Sequence, residues 1–207
     1  MNDTYPAPTD PKTVLATLSA EFVGSFPDPS QVLAPALPEV VFIGRSNVGK
    51  SSLINAVVGR KMAKTSATPG KTQLLVAFRF PGFYLLDLPG YGYAKLGQSE
   101  RRRLHALVDG AIRTRPELRI VVWLLDVRHA PSKEDLAMRE LLAEAGRETI
   151  VVLTKSDKLS QAQRAKAVRD RACELEVSED DIVVTSSAKG TGIPDLAELI
   201  QDAAQGK

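Results

Sequence analysis

The chain has 207 residues, of which 43% are hydrophobic and 25% are charged, a composition typical of one folded domain with a full core. A net charge of +2 excludes a strongly basic coat for nucleic acid but permits a local basic patch. The single cysteine, Cys173, excludes an internal disulfide framework and indicates a reducing cytosol, and we expect its thiol to be buried and unreactive. The longest apolar run, residues 120–125, is too short to cross a bilayer, and the polar start of the chain is unlike a signal peptide. We therefore expect a cytoplasmic protein without a membrane partner. A monomer is a separate expectation.

The first 37 residues are rich in proline and predict an N-terminal arm that is partly flexible. Within this arm, Leu15, Leu18 and Phe22 recur at helical spacing, so a short helix is the expected ordered part. The pattern changes after residue 37, and residues 38–207 are predicted to form a single domain.

In this domain, short apolar runs alternate with amphipathic ones. In chain order they predict strand 39–44, helix 51–59, strands 72–80 and 83–90, helix 99–113, strand 118–127, helix 132–146, strand 148–157, a helix from 160, strand 181–190 and helix 193–205. Near-continuous apolar strands between helices indicate an α/β fold: a central, mainly parallel sheet of about six strands with helices on both faces. Ligands of such sheets bind beyond the carboxyl ends of the strands.

The first motif is GRSNVGKS, residues 44–51, between a predicted strand and a predicted helix. Its small residues let backbone N–H groups surround a phosphate, while Lys50 reaches the outer phosphates and the Ser51 hydroxyl binds Mg²⁺. An ordinary glycine-rich turn is the alternative, but the flanking strand and helix favour a phosphate-binding P-loop.

The second motif is DLPG, residues 87–90. An aspartate at a strand end can hold Mg²⁺ through water, and the amide of Gly90 can sense a γ-phosphate. Four residues of this kind also form ordinary turns, so the motif gains its meaning from its position after a hydrophobic strand.

The motifs TKSD (154–157) and SSAK (186–189) predict which base is bound. Guanine presents two adjacent donors, to which the Asp157 carboxylate can accept a pair of hydrogen bonds, and adenine would leave that carboxylate unpaired. The Lys155 stem can cover the ring, and backbone N–H groups near Ala188 can donate to guanine O6. TKSD alone is equally compatible with a helix-capping turn, and SSAK after the next strand favours the nucleotide.

A threonine that completes Mg²⁺ coordination when a γ-phosphate is present is also expected, in the segment TSATPGKTQ. Thr72, directly before a predicted strand, is the first choice, and Thr68 is the second. The catalytic candidates are Lys50 and Thr72, and the metal candidates are Ser51 and Thr72, with Asp87 through water. The candidate nucleotide-binding residues are Gly44, Arg45, Ser46, Asn47, Val48, Gly49, Lys50, Ser51, Gly70, Lys71, Thr72, Gln73, Leu74, Asp87, Leu88, Pro89, Gly90, Thr154, Lys155, Ser156, Asp157, Thr185, Ser186, Ser187 and Ala188.

Together, GRSNVGKS, TPGKTQ, DLPGYGYAK, TKSD and SSAKG resemble the EngB (YsxC/YihA) family of bacterial GTPases, in the TRAFAC class and the Era/EngA-like superfamily. The resemblance runs from about residue 38 to the end of the chain, and DLPGYGYA beside TPGKTQ is its family-specific part. It implies a P-loop GTPase that converts GTP and water to GDP and phosphate, assists assembly of the large ribosomal subunit and is needed for normal cell division and septation.

The predicted hydrolysis is slow, because Tyr91 stands where Ras-like proteins have the glutamine that orients the attacking water. A partner or a cation is therefore expected to assist. Asn47 resembles the asparagine of potassium-stimulated GTPases in the same superfamily, so K⁺ near Asn47 is a candidate cofactor beside Mg²⁺.

A ribosomal partner, rRNA or protein, requires a basic surface. The candidates are Arg60, Lys61, Lys64, Lys95, Arg101, Arg102, Arg103, Arg113, Arg115 and Arg119. A solvated helix face with ion pairs is the alternative explanation for the arginines. Two other functions stay open: a cell-division regulator that acts through protein partners without ribosome binding, and a metabolic P-loop kinase, which would leave TKSD and SSAK without a role.

Overall fold

The computed structural model describes residue 15 and residues 18–63, 73–92 and 96–206. Within these ranges the strands are β1 (Glu21–Phe26), β2 (Glu39–Gly44), β3 (Leu75–Phe80), β4 (Phe83–Asp87), β5 (Leu118–Asp126), β6 (Thr149–Thr154) and β7 (Ile182–Val184). The α-helices are α1 (Lys50–Val58), α2 (Gln98–Thr114), α3 (Lys133–Glu144), α4 (Gln161–Leu175) and α5 (Ile193–Gln205).

The described strands form one sheet in the order β1-β3-β4-β2-β5-β6-β7. Five strands, β4, β2, β5, β6 and β7 in sheet order, are parallel to one another. By contrast, β3 runs antiparallel to both of its neighbours, β1 and β4. The predicted α/β class and mainly parallel sheet are therefore confirmed.

Apolar residues on both faces of the strands explain why helices cover the sheet on both sides. In β2, Val41 and Ile43 belong to the core shared with α2, α3 and α4, whereas Val40 and Phe42 belong to the core shared with α1 and α5. Because both faces of the sheet are buried, nearly every residue of these strands is apolar, as the sequence shows.

Residues 21–26 differ from the sequence prediction. Helical spacing of Leu15, Leu18 and Phe22 predicted a helix, but Glu21–Phe26 form a strand that pairs antiparallel with β3 and raises the sheet to seven strands. The prediction was wrong because β1 depends on hydrogen bonds to a strand whose paired residues lie 49 to 58 positions further along the chain, which local spacing does not encode. The division into an arm over 1–37 and a domain over 38–207 otherwise stays a prediction.

Cys173 also differs from expectation. It lies exposed on α4, whose inward face carries Arg171, Ala172 and Leu175. The expectation of burial rested on residue type, and the rotation of the helix decides which residues face the core.

Arg115, predicted as a basic surface residue, is buried. Its guanidinium donates two hydrogen bonds to the Glu39 carboxylate at the start of β2 and a third, of 2.7 Å, to the Pro29 carbonyl. The side chains of Arg115 and Glu39 are only 5% and 4% exposed. Arg115 therefore joins the segment before β2 to the sheet and is not available to a partner.

Candidate nucleotide-binding site

Four predicted motifs lie at one edge of the sheet. They follow the carboxyl ends of β2, β4, β6 and β7, which are parallel and therefore end on the same side. This is the edge at which open α/β sheets bind ligands.

The loop between β2 and α1 has the backbone of an anion-binding loop. Gly49 has a φ of 105° and precedes α1, and no side chain caps the first turn of the helix. A side chain at Gly44 would come within 2.8 Å of the Leu124 carbonyl, so the loop packs tightly against β5. The first amide groups of a helix need partners, and an anion satisfies them together with the helix dipole.

Lys50 and Asp87 form an ion pair between this loop and the end of β4. Both groups are buried, Lys50 being 8% and Asp87 4% exposed. Ser51 follows in the first turn of α1 and is half-buried. A lysine and a carboxylate therefore meet next to the uncapped helix start, and a serine follows them in the first turn.

The DLPG loop is tied to the phosphate-loop strand by backbone hydrogen bonds. The Leu88 amide donates to the Phe42 carbonyl at 3.2 Å, and Leu88, Pro89 and Gly90 are all buried. The Leu88 side chain lies in the core, so this residue can meet a nucleotide only through its backbone.

TKSD, at the end of β6, contacts the loop between β2 and α1. The Thr154 hydroxyl lies 2.7 Å from the Val48 carbonyl and is buried, so Thr154 positions the loop. The Lys155 ammonium donates to the Asn47 carbonyl at 2.6 Å and pairs with Asp126 at 2.9 Å. Ser156 is buried and donates its amide to the Thr185 carbonyl.

Asp157 is held by Ser186, in the segment that follows β7, and by its neighbour Lys158. The Ser186 hydroxyl donates to it at 2.7 Å, and Lys158 pairs with it at 3.2 Å. The hydrogen bond from Ser186 lowers the pKa of Asp157 despite partial burial, and Lys158 lowers it further, so the group is an ionised acceptor at neutral pH. Thr185 is buried behind Ser186, whereas Ser187 is half-buried and Ala188 is exposed at the tip of the loop.

Asp126 is a site residue that the sequence reasoning missed. Burial raises the pKa of Asp126, but hydrogen bonds from Arg128 and Lys155 outweigh it and hold that pKa well below the usual value. Asp126 lies at the carboxyl end of β5, beside the ends of β2 and β6. This position, where ligands of open α/β sheets bind, could have indicated that Asp126 belongs to the site.

The side chain of Tyr91 points into the core. It is 5% exposed, its hydroxyl donates to Asp135 at 2.7 Å, and the Trp123 indole donates to the same oxygen at 2.7 Å. Burial raises the pKa of Tyr91 well above its usual value, and the charge of Asp135 raises it further, so the phenol stays protonated. Tyr91 does not present its side chain to the phosphate side of the loop.

Several predicted residues lie outside the described ranges, namely Lys64, Thr68, Gly70, Lys71, Thr72 and Lys95. The described residues next to them are Gln73 and Leu74, both half-buried. Gln73 donates to Glu100 of α2 at 2.5 Å and accepts from Arg103 at 3.4 Å, so its amide contacts a helix.

Comparison with known proteins places these features in a family. Residues 39–155, more than half of the chain, match the family described as "50S ribosome-binding GTPase". The chain is 49% identical over 153 residues to the probable GTP-binding protein EngB of Chlorobaculum tepidum, covering 73% of this chain and 80% of that protein. It is 43% identical over 189 residues to the EngB protein of Syntrophus aciditrophicus, covering 90% of this chain and 95% of that protein.

Solved structures show the same fold. A crystal structure of a probable GTP-binding protein engB matches with a TM-score of 0.70 at 24% identity, over 82% of this chain and all of the other. Aquifex aeolicus Era, bound to GDP and AlF4⁻, matches with a TM-score of 0.63 at 23% identity, over 82% of this chain and 56% of Era. The fold and the family match define a P-loop GTPase. Within this class, the chain belongs to the EngB family of GTP-binding proteins.

Proposed function

We propose that GTP lies along the carboxyl edge of the sheet, with its phosphates on residues 44–51 and its base against Asp157. On binding, Lys50 would exchange its contact with Asp87 for the β- and γ-phosphates, because a phosphate tail carries more negative charge than one carboxylate. Gly90 would sense the γ-phosphate through its amide. Lys155 already bridges the phosphate loop and Asp126, which supports a pocket that is formed before the nucleotide arrives.

The residues beside Lys50 suit Mg²⁺. This ion prefers oxygen ligands and is bound in nucleotide sites through one or two protein groups, with phosphates and water supplying the rest. The Ser51 hydroxyl would bind it directly, Asp87 would hold it through water, and Thr72 is the proposed third group. When bound, Mg²⁺ would neutralise charge on the β- and γ-phosphate oxygens.

We expect K⁺ to accelerate hydrolysis, because Tyr91 offers no group that orients water and a cation near Asn47 would supply positive charge beside the phosphates. Asn47 is exposed, has a φ of 63° and engages its carbonyl with Lys155, so its side-chain amide is the group open to a cation. Single-turnover hydrolysis should be faster in KCl than in NaCl at equal ionic strength. An Asn47→Ser variant should lose this difference, and equal rates for the wild type in the two salts would contradict the hypothesis.

We propose further that the GTP-bound chain assists assembly of the large ribosomal subunit by binding rRNA or a ribosomal protein. The observation that carries this proposal is the match to a family described as 50S ribosome-binding GTPases. A surface that fits is the start of α2, where Arg101 and Arg102 are exposed next to Glu100 and Arg103, the residues that contact Gln73. Gln73 directly follows Thr72, the predicted switch threonine. A movement of Thr72 between the GTP- and GDP-bound states would therefore be transmitted through Gln73 to α2.

Not every predicted arginine contributes to such a surface. Arg113 pairs with Asp109 and Glu144, as the solvated-face explanation required, whereas Arg119 and Arg60 are exposed. The Arg60 guanidinium donates to the Leu18 carbonyl, and Lys61 beside it is exposed.

Co-sedimentation with 50S subunits tests this proposal. We expect more binding with a non-hydrolysable GTP analogue than with GDP, and less binding as salt rises, because RNA contacts displace counterions. Arg102→Glu should weaken binding several-fold, whereas Arg169→Glu, the same change on the exposed face of α4, should not. Equal sedimentation in both nucleotide states would contradict the proposed switch.

No sedimentation in any nucleotide state would favour the alternative, a cell-division regulator that acts through protein partners alone. The role in cell division and septation, the cytoplasmic location and the monomeric state stay predictions. None of the helices in the described part of the chain has the length and apolarity to cross a membrane.

A further inference from the structure

Tyr91 makes hydrogen bonds through both its backbone and its side-chain hydroxyl, and the two sets of partners lie in different parts of the molecule. Its backbone N–H donates to the Gly44 carbonyl at 3.3 Å, and its carbonyl accepts from the Ser46 amide at 2.9 Å, so its backbone is part of the phosphate loop's support. Its side chain leaves this edge and ends between β5 and α3. One residue therefore connects the phosphate loop with the interior of the molecule.

The hydroxyl of Tyr91 reaches the first turn of α3. Asp135 accepts the Tyr91 hydroxyl on one carboxylate oxygen and the amide and hydroxyl of Ser132 on the other, at 2.8 and 2.7 Å. Ser132 in turn accepts from the Asp135 amide, which completes a capping box. Asp135 is only 5% exposed, so the three hydrogen bonds compensate the burial of its charge.

The order of donors in this network is determined by chemistry. The Trp123 indole can only donate, the Asp135 carboxylate can only accept, and the phenol between them does both. Phenylalanine at position 91 would fill nearly the same space but would leave a buried donor and a buried acceptor without partners. The hydroxyl is therefore needed for hydrogen bonding, beyond the packing of the ring.

Gly90 directly precedes Tyr91, so its position relative to the phosphate loop depends on where Tyr91 is held. We propose that Tyr91 is a positioning residue of the GTPase: its backbone bonds to Gly44 and Ser46, together with its hydroxyl bonds to Trp123 and Asp135, hold the Gly90 amide in place for the γ-phosphate. The inference rests on the proposed role of Gly90. It makes residue 91 a fixed point directly after the DLPG motif, whereas Ras-like proteins use that position to orient water.

Tyr91→Phe should lower kcat for GTP hydrolysis by about 10- to 100-fold, since small displacements of a positioning group have effects of this size. KM for GTP should change little, because the P-loop and Asp157 supply most of the binding, and GDP affinity should stay at the wild-type value. Asp135→Asn should act in the same direction without any contact to nucleotide, because an amide has one acceptor oxygen for donors that now occupy two.

Tyr84→Phe is the matched control. Tyr84 is 1% exposed, and its hydroxyl donates to the Pro35 carbonyl at 3.1 Å, at the end of β4 away from Asp87. The Tyr84→Phe variant also loses a phenolic hydroxyl from a buried tyrosine, but this hydroxyl lies away from Asp87 and the DLPG motif. Its kcat should therefore stay at the wild-type value. Trp123 is the only tryptophan of the chain, so its fluorescence should change in Tyr91→Phe, where the indole loses its acceptor, and not in Tyr84→Phe.

The outcomes separate this inference from the proposed function. Wild-type kcat in both Tyr91→Phe and Asp135→Asn, or an equal loss in Tyr84→Phe, would overturn the positioning role while leaving GTP binding intact. Failure of the wild type to prefer GTP and GDP over ATP in titration calorimetry would instead overturn the proposed site. If Tyr91→Phe does not fold, kcat of Asp135→Asn decides the question.

Discussion

Replacing Asp157 with asparagine is expected to shift the preference of this GTPase from guanine toward xanthine nucleotides. In the proposed site the carboxylate would accept from the N1–H and the amino group of guanine, whereas the asparagine amide would point its own donor at that amino group. Xanthine carries an oxygen at this position and can accept from the amide. GTP affinity should fall by at least about 100-fold and XTP affinity should rise, because mispaired polar groups in a partly buried site are costly.

Titration calorimetry of the wild type, Asp157→Asn and a control variant with GDP, XDP and ADP measures this change. Asp170→Asn is the control, because Asp170 pairs with Lys166 on the outer side of α4, and its neutralisation should leave every affinity unchanged. Because the pKa of Asp157 is below its usual value, its carboxylate should remain ionised and GDP affinity should not fall on its account between pH 8 and pH 6. Retained GDP affinity in Asp157→Asn would refute the assignment of the base-reading group.

Arg115→Met is expected to lower the free energy of unfolding by about 3–5 kcal/mol, since it leaves the Glu39 charge buried without its partner. Total stabilities of single domains are about 5–15 kcal/mol, so the loss would be a large part of the whole. Methionine retains most of the aliphatic stem, which limits the effect to the lost guanidinium and its bonds to Glu39 and Pro29.

Arg113→Met provides the comparison, two residues away on the same helix end. Its side chain is 40% exposed and its partners Asp109 and Glu144 are more exposed still, so solvent screens the pairs and no measurable change is expected. Urea unfolding monitored by circular dichroism yields both midpoints. Similar midpoints for the two variants would show that the Arg115–Glu39 pair contributes no more than a surface pair.

The sequence predicted the phosphate loop and most of the domain's elements because their signals are local. The strand that leads to Gly44, the helix that ends at Gly59 and the helix predicted to begin at residue 132 each depend on neighbours within a few residues, and the structure has all three. The described members of the four motifs come together for a general reason, since the ends of parallel strands share one edge.

Predictions failed where a distant partner decides the outcome. Arg115 resembled its exposed neighbours in sequence, but Glu39, 76 residues earlier, draws it into the interior. The run EFVGSF became a strand only because β3 offers a free edge, and Asp126 became a site residue only because Lys155 reaches it from the next strand.

By itself, the sequence determined the class of fold and the phosphate loop and led to the proposal that TKSD selects guanine, because each of these signals lies in residues close together along the chain. Only the tertiary structure decided that the side chain of Tyr91 points into the core. The partners of its hydroxyl lie 32 and 44 residues further along, on β5 and α3, and no local pattern encodes which buried donors and acceptors will meet. Burial makes that meeting obligatory, since each of these polar groups must find its hydrogen bond inside the protein.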